Sequence, residues 1–170
     1  PDYNSSRAIA VIKRSKNVSL LANNFYAEKW GSGWAWNDYT ASYMAERSAF
    51  PMYGNIATFS LKNNRVSVFP SYFSKMLPSS FEQSFDGFDV NRSMELNDFS
   101  ITKGRNKSQE VSFSTGKTSE NQFLEIQAQL LSDVLKTPVS VSLVSKIERS
   151  DYITFHSQPT DSLLKPMMHR

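Results

Sequence analysis

Along residues 56–69 apolar and polar side chains alternate with a period of two, the pattern of strands buried on one face. In "IATFSL", Ala57, Phe59 and Leu61 share one side, and in "RVSVFPSYF" Val66 and Val68 do the same. Between the two runs "KNNR" supplies Asn63 and Asn64, residues that tolerate positive φ, so the segment predicts a β-hairpin. Pro70 lacks the N–H that a central ladder needs, which puts the second strand at an edge or on a bulge. A second pair is expected between "SMELNDFSITK" and "EVSFSTG", closed by the basic turn around Gly104. Residues 50–115 therefore read as β-rich.

The period then lengthens. "SENQFLEIQAQLLSDVLK" sets Phe123, Ile126, Leu130, Leu131, Val134 and Leu135 on one helical stripe. Ser119 and Gln122 have capping-box spacing at its start, Lys136 sits near its end, and Pro138 follows where the helix cannot continue. "PVSVSLVS" alternates as a strand through Val139, Val141 and Leu143. At the other end of the chain, "SSRAIAVIKRSK" suits a short helix with capping serines and a basic C-terminus, and "NVSLLAN" a buried strand. "EKWGSGWAWNDY" is too rich in Gly and Trp for a helix and reads as an ordered loop. The expected class is α+β: a β-rich subdomain, 37–117, inserted into a small α/β subdomain made of 1–36 and 118–150. Residues 151–170 lead away from it.

Composition narrows the function classes. A chain of 170 residues, 39% hydrophobic and 13% aromatic, can build one autonomous core. Its net charge of +3 is mild, and Lys103, Arg105 and Lys107 form a short basic turn without interleaved aromatics. That is a solvated loop rather than a nucleic-acid surface. The absence of cysteine removes disulfides, thiolate metal sites and cysteine nucleophiles. Apolar runs such as "AIAVI" are too short to span a bilayer. The Asn-x-Ser sequons at Asn4, Asn17, Asn91 and Asn106 read as chance in a chain rich in both residues.

Several motifs fail on inspection. "STGKTS" has Val111 where a phosphate loop needs its first glycine. "DGFDVN" lacks the calcium-loop spacing, and Asn97 occupies the twelfth position, where Glu should be. His156 and His169 are the only histidines, and with no cysteine a zinc site would have to lean on carboxylates; surface or core histidines are expected instead, and neither a metal nor a cofactor. Among the S-x-x-K tetrads, a spacing that can join a nucleophile to its base, are Ser100–Lys103 and Ser162–Lys165. The first lies in an expected strand, which sends its serine and lysine to opposite faces. The second lies in an expected helix, but "GKTS" is not the K-T-G that would complete such a site. Neither is read as catalytic.

The stretch "GSGWAWNDYTASY" and its surroundings resemble the class C penicillin-binding proteins, the D-alanyl-D-alanine carboxypeptidase/endopeptidase family. In that family a W-x-W-[ND]-D stretch opens the region inserted between the S-x-x-K and S-x-N motifs. "NVSLLANNFYAEKWGSGWAWND" is similar to the strand and loop that lead into it, "NQFLEIQAQLLSDVLK" to the returning helix, and "FHSQPTDSLLKPMMHR" to the approach to S-x-N. Asn23-Asn24 stand where acidic residues are common in the family, and Pro166 interrupts the last helix.

The resemblance implies a non-catalytic segment of a serine-type peptidase of the periplasm or cell envelope. Its partners would be peptidoglycan stem peptides and, in the parent enzyme, β-lactams. The nucleophilic serine would then precede Pro1 and S-x-N would follow Arg170, in keeping with a chain that begins "PDYN". It also implies that Asp38, with the aromatic Tyr43 five positions on, meets the side-chain ammonium of a diaminopimelate-type residue at the cleft mouth. Another reading is a free-standing β-rich module that presents Trp34 and Trp36 as an aromatic platform for glycan, since residues two apart in an extended chain share a face. The expectation adopted for both tryptophans is that they anchor the loop structurally.

Overall fold

The computed structural model describes Tyr3, residues 6–21, 28–85, 87–116, 122–142 and 153–156, together with Ser162 and Leu164. The chain is α+β. A short helix α1 (Arg7–Ile12) and strand β1 (Val18–Leu20) precede β2 (Ile56–Lys62), β3 (Arg65–Phe69), β4 (Glu82–Gln83), β5 (Asp89–Arg92), β6 (Phe99–Lys103) and β7 (Ser108–Ser112). Helix α2 (Gln122–Leu135) and strand β8 (Val139–Val141) follow. Among the described residues the strands form three small sheets, ordered β1-β8, β3-β2-β7 and β4-β6-β5.

The hairpin forms as its pattern predicts. β2 and β3 pair antiparallel with Phe59 opposite Val68 and Leu61 opposite Val66. Asn63 and Asn64 take φ of 48° and 60°, the left-handed pair that a tight hairpin turn requires. β3 is an edge strand and ends at Phe69, directly before Pro70. Ser6 caps α1 by accepting a hydrogen bond from the Ile9 backbone N–H. β1 and β8 pair in parallel, Val18 opposite Val139.

The second expected hairpin does not form. β6 pairs antiparallel with β5 and parallel with β4, while β7 pairs antiparallel with β2. The chain changes sheet at the basic turn because each strand finds a different apolar partner. β6 buries Phe99 and Ile101, and β7 completes the sheet around Ala57 and Phe59. Gly104 makes the crossing possible, since a Cβ there would lie 2.5 Å from the Gly87 carbonyl oxygen. Nor is the turn wholly solvated. Lys103 donates to the Asn64 carbonyl at 2.9 Å and lies over the Phe81 ring.

Helix α2 is present, with its buried face turned from the expected stripe. Leu124, Gln127, Ala128, Leu130, Leu131 and Leu135 are buried, while Ile126 and Val134 are only half-buried. The rotation follows from a polar residue on the inner face, where Gln127 Nε2 donates to Asn55 Oδ1 at 3.1 Å. The helix ends on Lys136 in the left-handed conformation (φ 59°) before Pro138. Ser119 of the capping box and the Phe123 side chain lie outside the described residues, as does Lys165 of the second tetrad.

One continuous core joins Ile9 of α1, the sheet residues Ala57, Phe59, Leu61, Val90, Phe99, Ile101 and Val111, and Leu130, Leu131 and Leu135 of α2. At its centre Phe73 meets Phe113 at 4.7 Å and Phe99 at 6.0 Å between ring centroids. Such offset and edge contacts add to the burial energy of the rings themselves. Leu20, Leu124 and Ala128 form a smaller cluster under the parallel pair.

Candidate functional site

The Gly- and Trp-rich loop is built from tight turns. Trp36–Asp38 and Ser42–Met44 are short 3-10 turns, with Asp38 N–H donating to the Ala35 carbonyl at 3.0 Å and Ala41 N–H to the Asp38 carbonyl at 2.8 Å. Neither turn has a buried hydrophobic side chain apart from Met44, so intrinsic propensity does not hold the loop. Its position is set from behind, by polar contacts to the sheets.

Those contacts centre on Glu46 and Arg92, which lie out of solvent. Arg92 Nη2 reaches Glu46 Oε1 at 3.2 Å, and both side chains are 0% exposed. The other carboxylate oxygen, Oε2, accepts from the Thr115 N–H and hydroxyl at 2.9 Å each, with Lys29 Nζ at 3.7 Å. Burial pushes the Arg92 guanidinium below its ordinary value, and the Glu46 carboxylate opposes that shift. An ion pair placed here costs desolvation, which the additional hydrogen bonds offset. Asn55, also buried, donates to the Glu46 carbonyl at 2.7 Å and to Ser48 Oγ at 2.9 Å. None of Glu46, Asn55, Arg92 or Gln127 was expected to matter. Arg92 did carry a signal, because it alternates in phase with the buried Val90 in "DVNR".

The outer face of the loop carries the two residues expected to bind substrate. Tyr43 is 71% exposed, and its hydroxyl donates to Asp38 Oδ2 at 2.5 Å. That hydrogen bond, ahead of the smaller effects of burial and of the Asp38 charge, raises the Tyr43 phenol above its ordinary value of 10.0. The loop therefore presents a carboxylate with one oxygen engaged by a phenol and the other turned to no described partner. A carboxylate held beside an aromatic wall can take an ammonium ion through a charge-assisted hydrogen bond.

The tryptophans divide. Trp34 is 38% exposed, with its indole edge packed so close to Gly31 that a Cβ there would lie 2.9 Å from the ring. The Arg47 guanidinium sits 5.7 Å from its ring centroid. Trp36 is 76% exposed, so the expectation that it anchors the loop is corrected: its ring has almost no core to pack against. Beside the loop, Glu28, Lys29, Trp30, Gly31, Ser32 and Glu95 line an open cleft of about 430 Å³.

Among the described residues no group of three or more His, Asp or Glu side chains could hold a metal ion. His156 is exposed. No described helix is long and apolar enough to cross a membrane.

No family model matches the chain, and no curated protein matches it. Among solved structures it is similar to penicillin-binding protein 4 from Haemophilus influenzae, at 14% identity and a TM-score of 0.45. The similarity covers 84% of this chain and 35% of that one, so the chain spans about a third of the length of that structure. The likeness is a distant one.

Proposed function

We propose that this chain is a non-catalytic segment of a serine-type D-alanyl-D-alanine carboxypeptidase/endopeptidase of the cell envelope, in which Asp38 and Tyr43 recognise the side-chain ammonium of a peptidoglycan stem peptide. The observation that carries this reading is the exposed hydrogen bond from Tyr43 to Asp38. It joins the residue types that the sequence resemblance assigns to the cleft mouth. A hydrogen bond to a charged group is worth roughly 1.5–3 kcal/mol. The catalytic serine, the response to β-lactams and the hydrolysis itself would belong to the parent enzyme.

The test is binding of a tripeptide that ends in a diaminopimelate-type residue, with its side-chain amine free or N-acetylated. The free amine should bind about tenfold or more tightly, in proportion to that contact energy, and Asp38→Asn should remove the difference. Equal binding of the two peptides to the wild-type chain would sink the reading.

A second reading, a free-standing glycan-binding module, draws on the exposed indole of Trp36. It is the weaker of the two because the Arg47 guanidinium lies over the Trp34 ring, which leaves one open platform rather than two.

A further inference from the structure

Asp38 and Tyr43 stand on the solvent side of a turn whose backbone is stapled to the sheets one residue further on. The Tyr39 carbonyl accepts from Arg92 Nη2 at 3.2 Å and from the Ser112 hydroxyl. The Thr40 carbonyl accepts from the Ser112 N–H at 2.9 Å, and Ala41 bridges Val111 in antiparallel fashion. In return the Tyr39 hydroxyl donates to the Arg92 carbonyl at 2.8 Å, with the guanidinium 5.2 Å from the Tyr39 ring centroid.

Arg92 is itself over-determined. Its Nε donates to the Ser112 carbonyl at 2.7 Å, and its Nη1 to the carbonyls of Ser93 at 2.9 Å and Met94 at 2.7 Å. Nη2 completes the set on Tyr39 and Glu46. A planar fork with all its donors engaged has no freedom to follow a wandering loop. The loop must come to it.

Beyond the turn hydrogen bonds of the Asp38 backbone and the buried Met44 next to Tyr43, few contacts fix the exposed pair. The described side-chain hydrogen bond of Asp38 is the one from Tyr43, and Tyr43 is mostly in solvent. The placement of the carboxylate thus depends on the backbone beneath it, and that backbone is pinned at Tyr39.

We infer that Tyr39, clamped between Arg92 and Ser112, is a positioning residue that sets the Asp38 carboxylate and the Tyr43 hydroxyl for an ammonium-bearing side chain. This rests on the reading of Asp38 and Tyr43 as ligand contacts, and it adds what makes that contact selective. A carboxylate preorganised against a phenol binds without first being ordered, whereas a loose one gives up part of its affinity to ordering.

The experiment uses Tyr39→Phe, which removes the hydroxyl that reaches Arg92, and Ser112→Ala, which removes one donor to the Tyr39 carbonyl. Arg92 is left in place because its loss would remove the buried partner of Glu46 together with the clamp. Two quantities are read by NMR in each chain: the titration midpoint of the Tyr43 ring, and the affinity ratio for the tripeptide with a free or N-acetylated side-chain amine. Both variants should move the Tyr43 midpoint down toward 10.0. Both should cut the affinity ratio about three- to tenfold, the factor that one hydrogen bond of ordinary net strength supplies. Folded variants with a wild-type midpoint and a wild-type ratio overturn the inference. If the wild-type chain shows no preference for the free amine while the variants still move the midpoint, the clamp stands and the ligand reading falls.

Discussion

The Glu46 carboxylate and the Arg92 guanidinium meet at 3.2 Å with neither side chain exposed to solvent. The pair joins the end of the aromatic loop to β5, and through Thr115 to the chain beyond β7. Removing Glu46 takes the carboxylate partner from a buried guanidinium, a loss that typically costs about 3–5 kcal/mol, whereas removing Arg92 leaves Glu46 with Lys29 Nζ at 3.7 Å and with Thr115. Glu46→Ala should therefore lower Tm by roughly 6–20 °C in a domain of this size, and Arg92→Ala by less. Because buried pairs are screened little, the loss should persist at high salt. A Tm that recovers as salt is raised would mean that the pair is solvated.

Asn55 should rank close behind. It is 1% exposed, holds a φ of 57°, and connects Glu46, Ser48 and Gln127 through its amide. Asn55→Ala puts a residue that disfavours the left-handed region there and leaves the Gln127 amide short of an acceptor. Unsatisfied buried groups cost about 1–3 kcal/mol each, and the backbone strain adds to this. Asn55→Gly spares the strain and keeps the loss of hydrogen bonds, so it should fall between wild type and Asn55→Ala. Equal stability of the two variants would show that the left-handed backbone contributes nothing.

The exposed Trp36 should behave unlike the aromatic core. Trp36→Ala should leave Tm within about 2 °C, because surface substitutions usually stay within ±0.5 kcal/mol. Phe73→Ala should cost about 3–5 kcal/mol, since Phe73 is 0% exposed among Phe99 and Phe113. A sharp fall in the melting temperature of Trp36→Ala would restore that ring as an anchor.

Tyr43 offers a direct electronic readout of the site. Its phenol is raised above 10.0 chiefly by the hydrogen bond to Asp38. A group whose folded pKa lies above its unfolded one contributes its stabilisation below the unfolded value and loses it as pH rises through the folded value. The contact is therefore intact across the neutral range and lost only in strongly alkaline solution. Asp38→Asn should bring the Tyr43 midpoint back toward 10.0, read from the tyrosinate absorbance difference between variant and wild type. An unchanged midpoint would place the two side chains apart in solution.

How much of this was legible in the sequence varied with the range of the interactions. The β2–β3 hairpin could be read because its register is fixed by the two asparagines and by alternation over a few residues. The split between β6 and β7 could not, since β7 takes as its partner β2, far back in the chain, where it completes the sheet around Ala57 and Phe59. Helix α2 was visible in its period, but its rotation is set by Gln127 meeting Asn55, a contact across 72 positions. Asp38 and Tyr43 were singled out only by the resemblance of one short stretch to a known family, and their hydrogen bond spans five positions. The Glu46–Arg92 pair behind it spans 46 positions and left only a faint trace, an arginine in phase with a buried valine.

Acyl transfer from a β-lactam is chemistry that this chain should not perform. An acylating serine needs a base within hydrogen-bond reach and donors for the oxyanion. Ser100 and Lys103 lie on β6, where residues three apart point to opposite faces of the strand. Lys103 Nζ donates instead to the Asn64 carbonyl at 2.9 Å and sits 4.2 Å from the Phe81 ring centroid. Ser100 is exposed and pairs in register with Asn91, so no proton acceptor is brought to it by the strand pairing. The K-T-G element that completes such sites is missing from the sequence, "GKTS" being a different order. The 170-residue chain should therefore take up no stable label from a fluorescent penicillin, as judged by intact mass and in-gel fluorescence after denaturation. Labelling that survives denaturation and vanishes in Ser162→Ala would show a working nucleophile on the second tetrad. Labelling that vanishes in Ser100→Ala would show the same for the first, and would require β6 to open so that Lys103 could turn toward its serine.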